Sequence, residues 1–199
     1  MKEGLFIVIY GINNLGKTTQ AKMLVESFQK AGLESDYLKY PIYDLKPTGP
    51  KINEVLRSGQ EQKISEEELQ GMYTQNRRDY QSILCQKIDK GVNIVAEDYI
   101  GTGLAWGVSK GADLEKLIKL NKGLIKPDIE ILLDGERFLN GKEEGHLHES
   151  NDKLMDKCRE NHLTLAARFG WQVIDANQSI EDVQRDILDV IERKIKFVG

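Results

Sequence analysis

Residues 11–18 read GINNLGKT and directly follow the apolar run LFIVIY at residues 5–10. That run is nearly continuous and rich in β-branched and aromatic residues, which predicts a parallel strand buried on both faces. Beyond Gly16, apolar residues follow helical spacing until Gly32, so a helix is expected next. A strand, a glycine-rich loop and a helix in this order decide the fold.

The loop has the spacing G-x-x-x-x-G-K-T, which is that of a P-loop. Its two glycines let backbone N–H groups converge on phosphate oxygens at the positive end of the following helix. Lys17 is expected to place a charge near the β and γ phosphates of ATP, and Thr18 to offer a hydroxyl to Mg²⁺. The nucleotide-binding stretch is predicted to comprise Gly11, Ile12, Asn13, Asn14, Leu15, Gly16, Lys17, Thr18 and Thr19.

A P-loop by itself is compatible with motors, GTPases, transporters and small-molecule kinases. A GTPase would need an Asn-Lys-x-Asp segment to read its base, and the sequence has none. The length of 199 residues suits one domain, residues 1–199, and favours a small kinase.

Composition limits the partners. The formal charge of −4, from 28 basic and 32 acidic residues, gives no general attraction to nucleic acid or to anionic lipid. The first apolar run is too short for a signal peptide, and no apolar stretch approaches membrane length. We therefore expect a cytoplasmic protein that binds an anionic ligand through a local site.

Further apolar runs alternate with helical patterns. The runs cover residues 92–96, 129–133 and 171–174, with 36–40 as a weaker candidate, and helices are expected from Ser65 to residue 84 and near 112–124, 150–168 and 180–197. Ser65 and Glu68 have the spacing of a capping box. The pattern predicts an α/β fold of the P-loop NTPase type, a parallel sheet of about five strands with helices on both faces, whose ligands lie beyond the carboxyl ends of the strands.

Two polar stretches interrupt this pattern. Residues 40–50 contain three of the four prolines and are expected to form a loop. Residues 140–148, NGKEEGHLH, suggest a lid over a bound nucleotide, with approximate limits 136–150. The alternative for this second stretch is an ordinary exposed loop.

Two groups of residues point to an acceptor site. Glu97 and Asp98 follow the run at 92–96, where a carboxylate could hold Mg²⁺ or take the acceptor's proton, or simply be solvated. Tyr73 and Arg77 are four residues apart and share a helix face. The ring could stack on a base while the guanidinium donates to a base carbonyl, although aromatic residues at this spacing are usually core.

Taken together, these segments resemble those of thymidylate kinases, P-loop enzymes that pass a phosphoryl group from ATP to dTMP. The resemblance covers nearly the whole chain and rests on GINNLGKTTQ (11–20), YP-x-Y (40–43), MYTQNRRDY (72–80), GVNIVAEDYIGTGLAWG (91–107), PDIEILLD (127–134), Arg159 to His162 and IDANQSIEDV (174–183).

The resemblance implies roles for individual residues. It implies that Tyr73 stacks on the pyrimidine, that Arg77 reads the base and that Trp106 packs near the deoxyribose. The acceptor would be bound by Asn13, Tyr43, Tyr73, Arg77, Asp98, Tyr99, Gly103 and Trp106. ATP would also meet Arg137, Asn177 and Gln178. Catalysis would rest on Lys17, Glu97 and Arg159, the Mg²⁺ ligands would be Thr18 and Glu97, and the enzyme would be a homodimer.

The chain departs from the family at charged positions. Asp98 stands where the family has the arginine that grips the acceptor's phosphate, and a carboxylate there repels a dianion. Asn13 and Asn14 replace an acidic and a basic residue of the family's P-loop, and the lid offers only Lys142, with His146 and His148 nearby, in place of an arginine. Two alternatives therefore stay open: a kinase of another pyrimidine deoxynucleoside or nucleotide, and a nucleotide-binding homologue with impaired catalysis.

Overall fold

The computed structural model describes residues 4–57, 64–138 and 152–198. Within them the strands are β1 (Phe6–Tyr10), β2 (Ser35–Lys39), β3 (Asn93–Glu97), β4 (Ile129–Asp134) and β5 (Gln172–Asp175). The helices are α1 (Lys17–Lys30), α2 (Thr48–Arg57), α3 (Glu66–Asp89), α4 (Ile100–Ser109), α5 (Leu114–Leu120), α6 (Asp152–Phe169) and α7 (Ile180–Val198).

The five strands form one parallel sheet in the order β2-β3-β1-β4-β5. All five residues of β1 are buried, because this strand lies in the centre and helices cover both faces of the sheet. The register pairs Ile9 of β1 with Glu97 of β3 and Tyr10 with Leu132 of β4. The loop that leaves β1 therefore starts beside the end of β3.

The predicted fold class is confirmed, and each predicted strand is found within one residue of its expected limits. The capping box at the start of α3 is also present: the Ser65 hydroxyl accepts from the Glu68 N–H at 3.2 Å, and the Glu68 carboxylate accepts from the Ser65 N–H at 2.8 Å. In the described residues, no helix is long and apolar enough to cross a membrane.

The helices differ from prediction in three places. The expected loop at 40–50 ends early because α2 begins at Thr48, and the helix expected at 112–124 is the shorter α5. Sequence periodicity also missed α4, whose sequence IGTGLAWGVS has three glycines and no charged residue, so no polar face marks it. The predicted lid at 136–150 lies outside the described residues except for 136–138.

Close packing explains the glycines of α4. A Cβ placed on Gly101 would lie 2.5 Å from the Trp171 ring and 2.8 Å from the Tyr10 ring. Those two rings already contact each other, with centroids 4.4 Å apart. Gly101 therefore lets α4 approach the aromatic end of the core.

We expect Gly101→Ala to lower the free energy of unfolding by about 1–2 kcal/mol, because overpacking costs about 1–3 kcal/mol and the gain in helix propensity is only about 1 kcal/mol. Gly71→Ala is the matched control, since Gly71 lies inside α3 and a Cβ there meets nothing within 4 Å. Urea unfolding should show the control to be as stable as the parent or slightly more so. A stabilised Gly101→Ala variant would contradict the packing argument.

Candidate active site

The loop between β1 and α1 owes its shape to two glycines. Gly11 has φ 145°, and a Cβ there would lie 2.7 Å from the carbonyl oxygen of Leu133. Gly16 has φ 78° and caps the N-terminus of α1 in a left-handed conformation. Asn14 also has a positive φ, 63°, which asparagine tolerates better than most residues. The sequence thus folds locally so that backbone N–H groups surround the start of α1.

Lys17 is held across this loop. Its Nζ donates to the carbonyl oxygens of Gly11 at 2.9 Å and Ile12 at 3.0 Å, and it lies 3.9 Å from Oδ1 of Asp98. The side chain is buried. The ammonium group is therefore already positioned at the mouth of the loop, where a phosphate would bind.

The Glu97 carboxylate, at the end of β3, has two hydrogen-bond donors and one ion-pair partner. Its Oε2 accepts from the Thr18 hydroxyl and the Tyr37 hydroxyl, both at 2.6 Å, and its Oε1 lies 3.0 Å from Nζ of Lys39. Burial raises the pKa of Glu97, but Lys17, Lys39 and the two hydroxyl donors lower it further, so the net pKa lies below its ordinary value. Glu97 is an ionised carboxylate at neutral pH.

The pKa of Asp98 is shifted in the direction opposite to that of Glu97. It has φ 63°, its N–H donates to the Ile9 carbonyl at 3.1 Å, and its Oδ1 accepts from the Thr102 hydroxyl at 2.8 Å. Burial, together with the charge of Glu97, raises the pKa of Asp98 above its ordinary value despite the opposing effect of Lys17. The pKa values of these two adjacent carboxyl groups are thus shifted in opposite directions.

One cavity of about 370 Å³ joins the loop to the predicted acceptor residues. Of the residues predicted from sequence, those that line it are Asn13, Asn14, Gly16, Lys17, Thr18, Thr19, Tyr43, Tyr73, Arg77, Glu97, Asp98, Tyr99, Gly103 and Trp106. The buried loop residues Gly11, Ile12 and Leu15 support the cavity from behind.

Besides these three loop residues, four predicted residues lie outside the cavity. Arg159 donates from Nε and Nη2 to both oxygens of Asp134, at 2.6 and 2.8 Å. Arg137 is ion-paired with Asp152 at 3.2 Å. The remaining two, Asn177 and Gln178, follow β5. Asn177 bonds the backbone of residue 136, and Gln178 donates to the Asp186 side chain of α7.

Arg77 lies between α3 and α4 and is almost fully buried. Its Nη1 donates to the Asn121 side chain at 3.0 Å, and its Nη2 donates to the Tyr99 carbonyl at 2.7 Å. Its guanidinium carbon also lies 5.8 Å from the Tyr99 ring centroid. These contacts fix the guanidinium at the cavity wall, beside Gly103.

Sequence reasoning missed several polar residues that line the same cavity, among them Glu66, Gln70 and Lys110. Lys110 Nζ lies 3.1 Å from Oε2 of Glu66, and Gln70 Nε2 donates to Oε1 of Glu66 at 2.8 Å. Spacing carries a signal for them, since residues 66, 70, 73 and 77 share one face of α3, and 99, 103, 106 and 110 repeat the same spacing along α4.

A P-loop at the central strand, opening into a cavity with a second set of binding residues, defines the class of P-loop phosphotransferases that act on small molecules. Within that class, the family model described as thymidylate kinase matches residues 9–187. The chain belongs to the thymidylate kinase family, as the sequence analysis predicts.

Individual relatives agree with this assignment. The chain is 31% identical over 205 residues to a probable thymidylate kinase of Thermococcus gammatolerans, covering 96% of this chain and 98% of that protein. It is 28% identical over 205 residues to the thymidylate kinase of Danio rerio, covering 98% and 93%. The solved structure of thymidylate kinase from Candida albicans superposes with a TM-score of 0.79 at 22% identity, covering 96% of this chain and 92% of that one, which supports the fold.

Behind the site, α6 carries a buried histidine. His162 is 1% exposed, its Nδ1 lies 2.9 Å from the Cys158 carbonyl oxygen, and among the described residues its Nε2 has no hydrogen-bond partner. Burial, aided by Lys17, lowers its pKa to about 4, against smaller raising effects from Cys158 and Asp134. The folded protein therefore holds this imidazole neutral.

Because the pKa of His162 is lower in the folded state than in the unfolded state, the free energy of unfolding falls as the pH falls between these two pKa values. Above about pH 6.5 both states carry a neutral His162, and below that the unfolded state alone gains a proton until about pH 4. We expect His162 to cost at most about 3 kcal/mol of stability across that window. His162→Gln should show a flatter decline in urea midpoint between pH 6.5 and 4 than the parent, and equal slopes would contradict the assignment.

Proposed function

We propose that this chain transfers the γ-phosphoryl group of ATP to dTMP, giving ADP and dTDP. The observation that carries the proposal is the continuous cavity, which runs from the loop around Lys17 to the helix face that bears Tyr73 and Arg77. A donor phosphate and an acceptor nucleotide can therefore share one enclosed space. Membership of the thymidylate kinase family supports the same acceptor.

ATP is assigned to the loop. Its phosphates would bind the N–H groups of residues 11–19 and draw Lys17 away from the carbonyl oxygens of Gly11 and Ile12. The adenine is assigned to the side of Asn177 and Gln178, which follow β5. Asn177 contacts the backbone of residue 136, at the start of the proposed lid segment. Arg137, at the start of that segment, would approach the donor as the lid, 136–150, closes.

The residues at the end of β3 suit Mg²⁺. Thr18 and Glu97 present a hydroxyl and an ionised carboxylate 2.6 Å apart, and oxygen ligands are what this cation prefers. The described residues hold no cluster of three or more His, Cys, Asp or Glu that would form a metal cage. Mg²⁺ is usually bound by one or two protein groups together with substrate phosphates, which fits this donor set. When bound, the ion would neutralise charge on the phosphates.

The acceptor nucleotide is assigned to the space between α3 and α4. Tyr73 would stack on the base and Arg77 would donate to a base carbonyl, and Trp106 would pack beside the sugar. Further contacts are assigned to Asn13, Tyr43, Asp98, Tyr99 and Gly103. Lys39, about half exposed and already near Glu97, is a cation close enough to help hold the acceptor's phosphate.

Arg159 would have to leave Asp134 before it meets transferred phosphate. We propose that it does so, because a phosphate dianion offers the same bidentate geometry with more charge. The remaining proposals from family membership are a single domain, a cytoplasmic location and a homodimer.

The test of the proposed function is ADP release by the full chain with ATP and Mg²⁺ and with dTMP, dUMP, dCMP, thymidine or no acceptor. We expect turnover with dTMP above that with every other acceptor, and Lys17→Ala should abolish it. Turnover with thymidine but not dTMP would replace the proposal with a deoxynucleoside kinase, which Asp98 would suit because a carboxylate can accept from a hydroxyl. Tight ATP binding without turnover of any acceptor would indicate a binding protein.

Asp98 generates a separate prediction. Asparagine has the same shape and tolerates the positive φ of this position, so Asp98→Asn removes the charge while an oxygen remains for Thr102. Charge repulsion of about 1 kcal/mol predicts that KM for dTMP falls about fivefold. Asp89→Asn at the exposed end of α3 is the control, and a higher KM in Asp98→Asn would show that the carboxylate itself contacts the acceptor.

A further inference from the structure

The cavity is also lined by a chain of three polar side chains that the proposed mechanism does not use. Lys110 ends α4, Glu66 begins α3, and Gln70 lies one turn further along α3. Glu66 accepts from Lys110 on one oxygen and from Gln70 on the other. All three are nearly buried and all three line the cavity.

This chain fixes which way the Gln70 amide points. A carboxylate only accepts hydrogen bonds, so the NH₂ group of Gln70 must face Glu66, and the amide oxygen must face away from it. Lys110 holds the carboxylate in place from the other side at 3.1 Å. The orientation of a buried amide, normally ambiguous, is thereby set by an ion pair.

The Gln70 oxygen and the Arg77 guanidinium lie against the same position of α4, Gly103. A Cβ placed on Gly103 would lie 2.8 Å from Oε1 of Gln70 and 2.8 Å from Nη2 of Arg77, so both atoms occupy the space that a side chain at position 103 would fill. Because Gly103 has no side chain, Gln70 and Arg77 can occupy the space beside the backbone of α4. An acceptor oxygen and a donor nitrogen therefore stand side by side at the cavity wall.

We propose that Gln70 is a specificity-determining residue for the base, and that Glu66 and Lys110 are positioning residues that keep its oxygen toward the acceptor nucleotide. A pyrimidine with a carbonyl next to a ring N–H, as in thymine or uracil, complements this pair: Arg77 donates to O4 and Gln70 accepts from N3–H. Nη2 can make this contact while it holds Tyr99, because a terminal guanidinium nitrogen carries two hydrogens.

The same pair rejects cytosine. Cytosine carries an amino group where thymine has O4, and an unprotonated N3 where thymine has N3–H, so donor would meet donor and acceptor would meet acceptor. Buried polar groups left unpaired in this way reduce affinity about 10- to 100-fold. The selectivity thus depends on the direction of one amide.

The inference rests on the proposed function, since it places the acceptor base between α3 and α4. The first experiment measures Kd of the full chain for dTMP and dCMP, and for ATP as a control of the intact loop. Gln70→Leu should weaken dTMP about tenfold and leave dCMP nearly unchanged. Gln75→Leu is the matched control, because Gln75 also lies on α3, is exposed, and donates from its side chain to the Asp79 carboxylate.

The second experiment exchanges the charges at positions 66 and 110, so that the Gln70 amide should turn around. In the double variant Glu66→Lys, Lys110→Glu, an ammonium group would face Gln70 and attract its oxygen, so the amide would turn its NH₂ toward Arg77. The ratio of dTMP to dCMP affinity should then fall at least tenfold, with ATP affinity unchanged. A purely structural role of the ion pair would weaken both nucleotides equally. The exchanged pair Asp36→Lys, Lys87→Asp, which joins β2 to α3 at the surface, is the control.

The outcomes separate the two proposals. If the parent prefers dTMP and Gln70→Leu keeps that preference undiminished, the role of Gln70 is refuted while the proposed function stands. If the parent itself prefers dCMP, the proposed acceptor is wrong, and so is the orientation inferred for Gln70. If the double variant does not fold, as thermal unfolding would show, the result for Gln70→Leu decides alone.

Discussion

The carboxylate of Glu97 is the group on which the site depends. It is an ionised side chain at the end of a central strand, and such a charge is tolerated only when it is paired and hydrogen-bonded. Thr18 from α1, Tyr37 from β2 and Lys39 from β2 supply those partners. Because the partners come from two elements, α1 and β2, satisfying one charge fixes the positions of the start of α1 and of the edge strand that carries Lys39. The same arrangement places a hydroxyl and a carboxylate side by side where Mg²⁺ would be needed.

The second constraint is the close approach of α3 and α4. Gly103 has no side chain, so Gln70 and Arg77 can lie against the backbone of α4. Gly107 likewise makes room for Leu117, since a Cβ there would lie 2.5 Å from that side chain. The part of the cavity between α3 and α4, where the acceptor base is proposed to bind, is therefore narrow, and Glu66, Gln70 and Lys110 hold one another in place there. A site of this kind selects by matching donors and acceptors.

Sequence predicted the parts whose physics is local. Buried strands such as β1 are recognised as apolar runs. The P-loop is recognised by its glycines and lysine, and the start of α3 by the capping box at Ser65. It could not predict α4, whose helical state comes from packing against α3, α5 and α6 rather than from its own glycine-rich sequence. Helical spacing puts Glu66 and Gln70 on the face of α3 that carries Tyr73 and Arg77, but sequence could not predict that Lys110 of the α4 end pairs with Glu66. The assignments of Arg159 and Asn177 stay predictions, since both bond protein groups in this structure.

The cations around the site share one property that bears on how phosphate enters. Lys17 is held by loop carbonyls, Lys39 by Glu97 and Arg159 by Asp134, so each already has oxygen partners. Binding a nucleotide therefore exchanges one set of oxygen partners for another, and the net gain is smaller than the charge of the phosphates suggests. Asp98, 3.9 Å from Lys17 and with a raised pKa, fits the same logic. Because its pKa is shifted upward, this carboxyl group opposes an arriving phosphate dianion less than a carboxylate with an ordinary pKa would.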